Sequence, residues 1–295
     1  VLQLAIFLGI GFWRHWQGYQ ALSSRATYLP VTRDTPSAAE ITSAWSGFRT
    51  FRVERKVVED VAQSVCSFYL VPEDRQPLLP FLPGQFLTFR LDLPTGEDSE
   101  QIIRCYSLSD APRPDAYRVS IKRVPAPSGS DYPPGRTSSY FHDHVAVGSQ
   151  LQVRSPGGHF HIDRSDAPVV LIAGGIGITP MLSMLNWCLA EQPGREIWLF
   201  FGVRHGREMV MKSHLEALAA AHPNFHLRLC FSDPLPEDEA ERDYHHRGRV
   251  DVSLLRAQLP LKPYHFYICG PTPMMASLVS ALEDWGVPDA RIHFE

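Results

Sequence analysis

No CxxC pair occurs in the chain, and no C-x4-C-x2-C run of the kind that holds a plant-type iron–sulfur cluster. The five cysteines, Cys66, Cys105, Cys188, Cys230 and Cys269, are scattered and odd in number. That excludes a disulfide scaffold and fits a reducing compartment. Positive charge is not in excess: 28 Lys and Arg against 32 Asp and Glu leave a net charge of −4. A nucleic-acid partner would ordinarily call for a basic chain. A membrane-spanning run is also lacking. The apolar stretch VLQLAIFLGIGFW, residues 1–13, has Gln3 as its one polar member, but a bilayer takes about 20 such residues. Trp13 and Trp16 flank Arg14, and Arg25 follows without a nearby acid, as at a membrane interface with the bulk of the protein on the cytoplasmic side. The expectation is a cytoplasmic protein anchored to the inner face of the membrane through this N-terminal stretch. A buried N-terminal helix and a signal-peptide remnant are the alternatives, and no A-x-A site supports the second. The chain starts at Val1 rather than Met, so a piece of a longer precursor is expected.

What is present is a soluble composition, 44% hydrophobic and 20% charged over 295 residues, with room for two domains. Residues 1–44 read as the apolar stub followed by a linker, PVTRDTPSAAEITSA at 30–44. From Trp45 short strand-like runs follow one another: FRTFRVERKVV, QSVCSFYLV, GQFLTFRLDL, QIIRCYSL, YRVSIKRV and SQLQVRS. Pro and Gly clusters such as PFLPG and VPAPSGSDYPPG separate them. The clearest alternation sets Tyr117, Val119 and Ile121 against Arg118, Ser120 and Lys122. Residues 45–165 are therefore expected to form an antiparallel β-barrel.

Past residue 166 the period changes. PVVLIAG, EIWLFFGV, NFHLRLCFS, YHFYICG and ARIHFE read as strands. TPMLSMLNWCLAEQ, REMVMKSHLEALAAAH, DVSLLRAQL and TPMMASLVSALEDWG, which lie between them, read as helices. That alternation predicts a doubly wound α/β domain over 166–295.

Four short segments carry chemistry. In AGGIGITP, residues 173–180, Gly174, Gly175 and Gly177 let a pyrophosphate approach the backbone between a strand and a helix. Thr179 is placed as the helix N-cap, with Pro180 in the first turn. The third glycine of the dinucleotide fingerprint is missing, and a ligand-free tight turn stays open as the alternative. YICGPTPMM puts Cys269, Gly270 and Pro271 on the same carboxyl edge of the sheet; Cys269 reads equally well as a plain buried thiol. In GRTSSYFHD, Gly135, Ser138 and Ser139 open a short helix whose N–H groups would face a phosphate, with a simple cap as the alternative. In RCYSLSD, residues 104–110, a strand turns Arg104, Tyr106 and Leu108 one way and Cys105 and Ser107 the other. A solvated surface strand explains these residues alone. With the Gly135 helix beside it, the strand becomes a place to hold negative charge from two sides. The close histidine pairs, His142 with His144, His159 with His161 and His245 with His246, lack a carboxylate or Cys at matching spacing, so no metal site is expected.

In order along the chain stand R-x-Y-S (Arg104, Tyr106, Ser107), GRTSS (135–139), AGGIGITPMLSML (173–185), FGVR (201–204), CGP (269–271) and HFE (293–295). This set resembles the ferredoxin–NADP reductase superfamily, most closely the reductase modules of bacterial flavohaemoglobins and of fused flavin/iron–sulfur reductases. The resemblance spans residues 45–295 and implies an FAD-binding barrel followed by an NAD(P)-binding α/β domain. Arg104 would pair with a flavin phosphate, Tyr106 would stack on the isoalloxazine, and Ser107 would present its hydroxyl to N5. Lys122 would lie on the adenine or phosphate side. Gly135, Ser138 and Ser139 would hold the pyrophosphate, which favours FAD over FMN, and Phe160 would pack near the cofactor. Gly174, Gly175, Gly177 and Thr179, with Gly270 and Pro271, would hold the nicotinamide dinucleotide. Cys269 would lie near its ring and Glu295 near the flavin, which makes Ser107, Cys269 and Glu295 the implied catalytic set. A 2′-phosphate would need cations after the second parallel strand, where Arg204 and Arg207 stand; the resemblance favours NADH and leaves NADPH open.

The implied activity passes hydride from NAD(P)H to FAD and single electrons to an iron–sulfur or haem acceptor. The implied partner is a haem protein or a [2Fe–2S] ferredoxin domain, and no nucleic acid. Relatives continue past the final Glu, so the resemblance makes this chain the reductase core of a longer protein, with a ferredoxin domain fused downstream in some. A flavin reductase or oxidase that gives electrons to oxygen, and a flavin-free NAD(P)-binding module, are the alternatives.

Overall fold

A computed structural model describes residues 45–95, 98–127 and 129–295. The apolar stub and linker, and with them the membrane reading, lie outside the described residues. No helix among the described residues is long and apolar enough to cross a membrane.

The six barrel runs form β1 (Arg49–Val58), β2 (Val65–Pro72), β3 (Phe86–Thr95), β4 (Asp98–Ser107), β5 (Tyr117–Lys122) and β6 (Gln150–Val153). They make one antiparallel sheet in the order β4-β3-β6-β1-β2-β5. The sheet curls until Leu108, just past β4, bridges Val119 of β5, so the two edge strands meet. Phe51, Phe68, Leu87, Phe89 and Val119 fill the inside and are fully buried. Helix α1 (Arg136–His144) closes one end of the barrel with Phe141. That ring stands edge-on to Phe68 at 5.3 Å, Phe89 at 5.5 Å and Tyr106 at 5.3 Å, an arrangement the aromatic quadrupoles favour.

The second half has β7 (Val169–Gly174), β8 (Ile197–Val203), β9 (Phe225–Phe231), β10 (His246–Arg247), β11 (His265–Cys269) and β12 (Ile292–Phe294), all parallel, in the order β10-β9-β8-β7-β11-β12. Helices α2 (Ile178–Glu191) and α3 (Lys212–Ala221) cover one face, while α4 (Val252–Gln258) and α5 (Thr272–Asp284) cover the other. Burial on both faces explains why β7 reads VVLIAG without a polar break: all six residues are buried.

Three local expectations change. The run REMVMKSHLEALAAAH does not form one helix. Met209, Val210 and Met211 are consecutive and all buried, which one helical stripe cannot accomplish. The chain opens there, Met211 takes a φ of 53°, and α3 starts at Lys212. Thr179 is not the N-cap of α2. A 3-10 turn over Gly175–Gly177 leads into the helix, and Thr179 donates its hydroxyl back to the Ile176 carbonyl at 3.0 Å. The two-residue β10 was not anticipated, being too short to carry a period.

The halves meet on the outer face of β2 and β5. Arg118 and Ser120, the polar row of the β5 alternation, are only 9% and 3% exposed, because the α/β half covers them. Val65, on the same face of β2, belongs to the α/β core. Ala62 N donates to Arg207 O at 3.2 Å and Met211 N to Glu59 O at 3.1 Å, so backbone bonds tie the β1–β2 turn to the loop after β8.

Candidate functional site

On the barrel side, β4 pairs with β3 so that Arg104 stands opposite Phe89, Tyr106 opposite Leu87 and Ser107 opposite Phe86. Phe89 and Leu87 point inward, so Arg104 and Tyr106 share the inner face and Ser107 the outer one. Tyr106 is half-buried and edge-on to Phe89 at 5.8 Å. Burial pushes its phenol up to about 12, which keeps it neutral. Arg104 is exposed, donates to the Ile103 carbonyl at 2.8 Å, and pairs with no carboxylate among the described residues. Two contacts bracket it. Glu100, on the same face of β4, meets Arg136 at the start of α1 at 2.7 Å, and Tyr106 meets Phe141 further along that helix. Arg104 therefore lies alongside the opening turns of α1, whose first N–H groups have no acceptor inside the helix. A free guanidinium beside a helix N-terminus is a seat for an anion.

Gly135 and Ser138 shape that seat. The Ser138 hydroxyl donates to Gly135 O at 3.0 Å and accepts from Val124 N at 3.1 Å. A Cβ on Gly135 would come within 2.8 Å of it. The serine is already committed, so a phosphate here would be met by backbone N–H groups and Arg104. Ser139, half-buried, sends its backbone N–H to Gly135 O at 3.0 Å.

On the α/β side, the turns after β7 and β11 pack backbone against backbone. A Cβ on Gly177 would lie 2.1 Å from the Cys269 carbonyl oxygen, and one on Gly174 would lie 2.7 Å from Met274 and 2.8 Å from Pro271. One on Gly270 would lie 2.6 Å from Met274 and 3.0 Å from Gly174. Three glycines thus serve the contact between turns. Gly175 differs: its φ is 55° and its Cβ side is open. Thr179 is 6% exposed, with its hydroxyl already bonded. Cys269 pairs with Ala173 across the sheet. Burial pushes its thiol up to about 12, with the Glu295 carboxylate adding to the shift. Burial thus favours the neutral thiol over the thiolate, which is the nucleophilic form. Glu295 N donates to Ile268 O at 3.2 Å. Burial of the carboxyl pushes Glu295 up to about 7, a shift that water tempers because the residue as a whole is exposed.

The two sides converge. Asp110, the last residue of RCYSLSD, accepts Ser183 Oγ on its backbone carbonyl and Asn186 Nδ2 on Oδ1, both at 2.7 Å and both from α2. Phe86, the partner of Ser107, lays its ring on Gly158, where a Cβ would approach to 2.8 Å. Phe160 lies 6.0 Å from Tyr267, two residues before Cys269. It is 8% exposed, so it is packing inside the junction rather than an open wall. Lys122, on the outer row of β5, acts electrostatically on Glu208 of the other half. Arg204 is not a free cation: it pairs with Glu208, and Arg207 pairs with Glu237 at 2.6 Å.

A recess of about 820 Å³, lined by Trp45, Phe48, Arg49, Glu73 and Gln150 among others, contains none of the candidate residues. No group of three metal-ligating side chains occurs among the described residues. The reading of the sequence missed Asp110, Ser183, Asn186 and Arg118 as a set. The row Arg118, Ser120, Lys122 was the available signal, and it looked like an ordinary solvated face.

Residues 52–162 match the oxidoreductase FAD-binding domain family, and residues 171–280 match the oxidoreductase NAD-binding domain family. A flavohemoprotein of Halalkalibacterium halodurans is 36% identical over 259 residues, which are 88% of this chain and 62% of that protein. The chain thus spans less than two thirds of that relative's length. The flavohem-like FAD/NAD-binding domain of nitric oxide dioxygenase from Vibrio cholerae is 33% identical with a TM-score of 0.73, covering 84% of this chain and 98% of that one. Phthalate dioxygenase reductase, described as a modular structure for electron transfer from pyridine nucleotides to [2Fe–2S], is 26% identical with a TM-score of 0.63, covering 84% and 68%.

Proposed function

The chain belongs to the ferredoxin–NADP reductase superfamily of FAD- and NAD-binding oxidoreductases, and from that premise we propose that it takes hydride from NADH at a bound FAD and delivers electrons singly to a haem or [2Fe–2S] acceptor. One observation carries the reading. The strand end with Arg104, Tyr106 and Ser107 is hydrogen-bonded through Asp110 to the helix that follows Gly174–Gly177. A ring held from the barrel and a nicotinamide held from the sheet then meet at one junction, which makes their reaction effectively intramolecular.

Bound FAD supplies the conversion between two-electron and one-electron chemistry. The chain does the rest. Arg104 and the first N–H groups of α1 bind its phosphates, where a guanidinium fork suits the oxygens. Tyr106, kept neutral, would present its ring to the flavin, and Ser107 would offer it a hydroxyl. The backbone at Gly175 and the start of α2 take the nucleotide pyrophosphate. Cys269 would lie as an uncharged thiol beside the nicotinamide, and Glu295, at the end of the last strand, would lie near the flavin. We keep the domain division at residues 165 and 166, which lie between the last barrel strand, ending at Val153, and the first parallel one, starting at Val169.

The ion pairs favour NADH over NADPH. Glu208 and Glu237 already occupy Arg204 and Arg207, and a 2′-phosphate would meet two carboxylates. The acceptor follows from the relatives' own descriptions, a flavohemoprotein on one side and electron transfer to [2Fe–2S] on the other.

The test is anaerobic mixing of the FAD-loaded protein with NADH or NADPH, followed by cytochrome c, ferricyanide or oxygen. The expected result is bleaching by NADH at least about tenfold faster than by NADPH, as like-charge contact costs over 1 kcal/mol, and faster reoxidation by the one-electron acceptors than by oxygen. A protein that holds no flavin, or one whose flavin neither nucleotide bleaches, would refute the reading.

A further inference from the structure

We infer that Asp110 is a positioning residue: it locks the strand end bearing Tyr106 and Ser107 onto helix α2, and thereby sets the approach of nicotinamide to flavin. The inference rests on the proposed hydride transfer and adds to it a part of the chain that touches neither cofactor.

Asp110 is bonded on every side. Its carbonyl accepts Ser183 Oγ at 2.7 Å. Oδ1 accepts Asn186 Nδ2 at 2.7 Å and Ala111 N at 2.9 Å. Oδ2 faces Arg118 Nη1 at 3.7 Å. Arg118 donates Nε to Ser109 Oγ at 3.2 Å and Nη2 to the Ser109 carbonyl. Ser109 Oγ then meets Ser120 Oγ at 2.8 Å, and Ser120 meets Ser67 Oγ at 2.6 Å. Ser67, Ser109 and Ser183 are fully buried, and Ser120 is 3% exposed. One satisfied polar network thus runs from β2 and β5, through the residues after β4, to α2.

Such a network is a poor device for stability. A well-packed apolar seam of the same size would hold the halves together as well or better. What hydrogen bonds add is direction, since apolar area lets two domains slide and relative motion is the default between them. The latch is also close to what it would control. Asp110 is three residues past Ser107, about 10 Å of extended chain, and Ser183 is six residues past Gly177, about 9 Å of helix. A displacement of about 1 Å at a reacting pair can cost roughly a hundredfold in rate. The groups assigned to the FAD phosphates and ring, Glu295 apart, lie in the barrel half, and those assigned to the dinucleotide lie in the α/β half. Loosening the latch should therefore spare both affinities and slow the step between them.

The test uses S183A/N186A, which removes both donors from α2, together with D110A and the conservative D110N. FAD content, NADH dissociation constant and limiting rate of anaerobic flavin bleaching are measured for each. The expected result for S183A/N186A is a fall in limiting rate of about 10- to 100-fold, with FAD content and NADH affinity within about twofold. D110N, whose amide oxygen can still accept from Asn186 and Ala111, should keep more of the rate than D110A. An unchanged rate in S183A/N186A, or a loss that tracks FAD loss or NADH affinity, would overturn the inference and leave the network purely structural. Should D110A fail to fold, S183A/N186A alone decides. If neither nucleotide bleaches the wild-type flavin, the proposed function fails, and the inference fails with it. A bleached wild type beside an equally fast double variant removes the inference alone.

Discussion

The two helix starts proposed to take phosphate, at α1 and at α2, are built on different physics. The α1 start stands beside Arg104, an exposed cation with no carboxylate partner among the described residues. The α2 start has no charged residue from 173 to 190, and the facing turn has none from 268 to 282. It relies on glycine backbone, three of whose members are fixed by contact between the turns. Under the proposed function the contrast is instructive. A charge-backed seat suits a cofactor that stays, and a neutral, shape-made seat suits a substrate that must leave after every turnover.

The sharpest break of this contrast is R104A. Charge-assisted bonds are worth about 1.5–3 kcal/mol, so FAD affinity should fall by up to roughly a hundredfold, read by flavin retention and titration, with NADH affinity little changed. Equal FAD affinity would show that charge is not what holds the cofactor. G177A attacks the other seat. Its Cβ has no room beside the Cys269 carbonyl, and overpacking of this kind costs about 1–3 kcal/mol. Unfolding in urea should move by that amount and NADH binding should weaken, while FAD binding stays. E208Q frees Arg204 from its partner and should raise affinity for NADPH relative to NADH by about tenfold at most, read as the ratio of bleaching half-saturations.

The smallest effect concerns pH. His293 is stacked on Tyr267 at 4.5 Å and faces His265, Asp163 and His161. Burial lowers it to about 4, so the fold holds it neutral while the unfolded chain takes a proton below about 6.5. The unfolded state then binds more protons, and stability falls as pH drops from about 6.5 toward 4. Allowing for its partial exposure, the loss is about 1 kcal/mol. H293F should flatten that part of a urea-unfolding profile against pH, and an unchanged slope would place the charge-sensitive group elsewhere.

Strands buried on both faces were legible because they carry nothing polar, as VVLIAG and IWLFFGV show. The barrel strands were legible where one face is wet. The outer row Arg118, Ser120, Lys122 has the same alternation as a solvated edge, and only the arrival of the α/β half turns it into a seam. Nothing local announces that arrival. Asp110 has an Arg118 opposite and an Asn186 above it, but these lie 8 and 76 positions away along the chain. Met209–Met211 likewise fit a helix by composition and leave it only because three neighbours in a row are claimed by one core. The order of the glycine, arginine and cysteine motifs was legible. That Ser138 and Thr179 would spend their hydroxyls on nearby backbone was not, since short polar side chains bond locally wherever a carbonyl is near.

The claim on which these arguments rest is that the two halves bring one nicotinamide face against one flavin. Anaerobic single-turnover bleaching with NADH deuterated at C4 tests it most directly. The account predicts that deuterium on one prochiral face slows bleaching severalfold and that deuterium on the other face leaves it unchanged. Bleaching that is equally fast with both labels, or no bleaching by NADH at all, would contradict it.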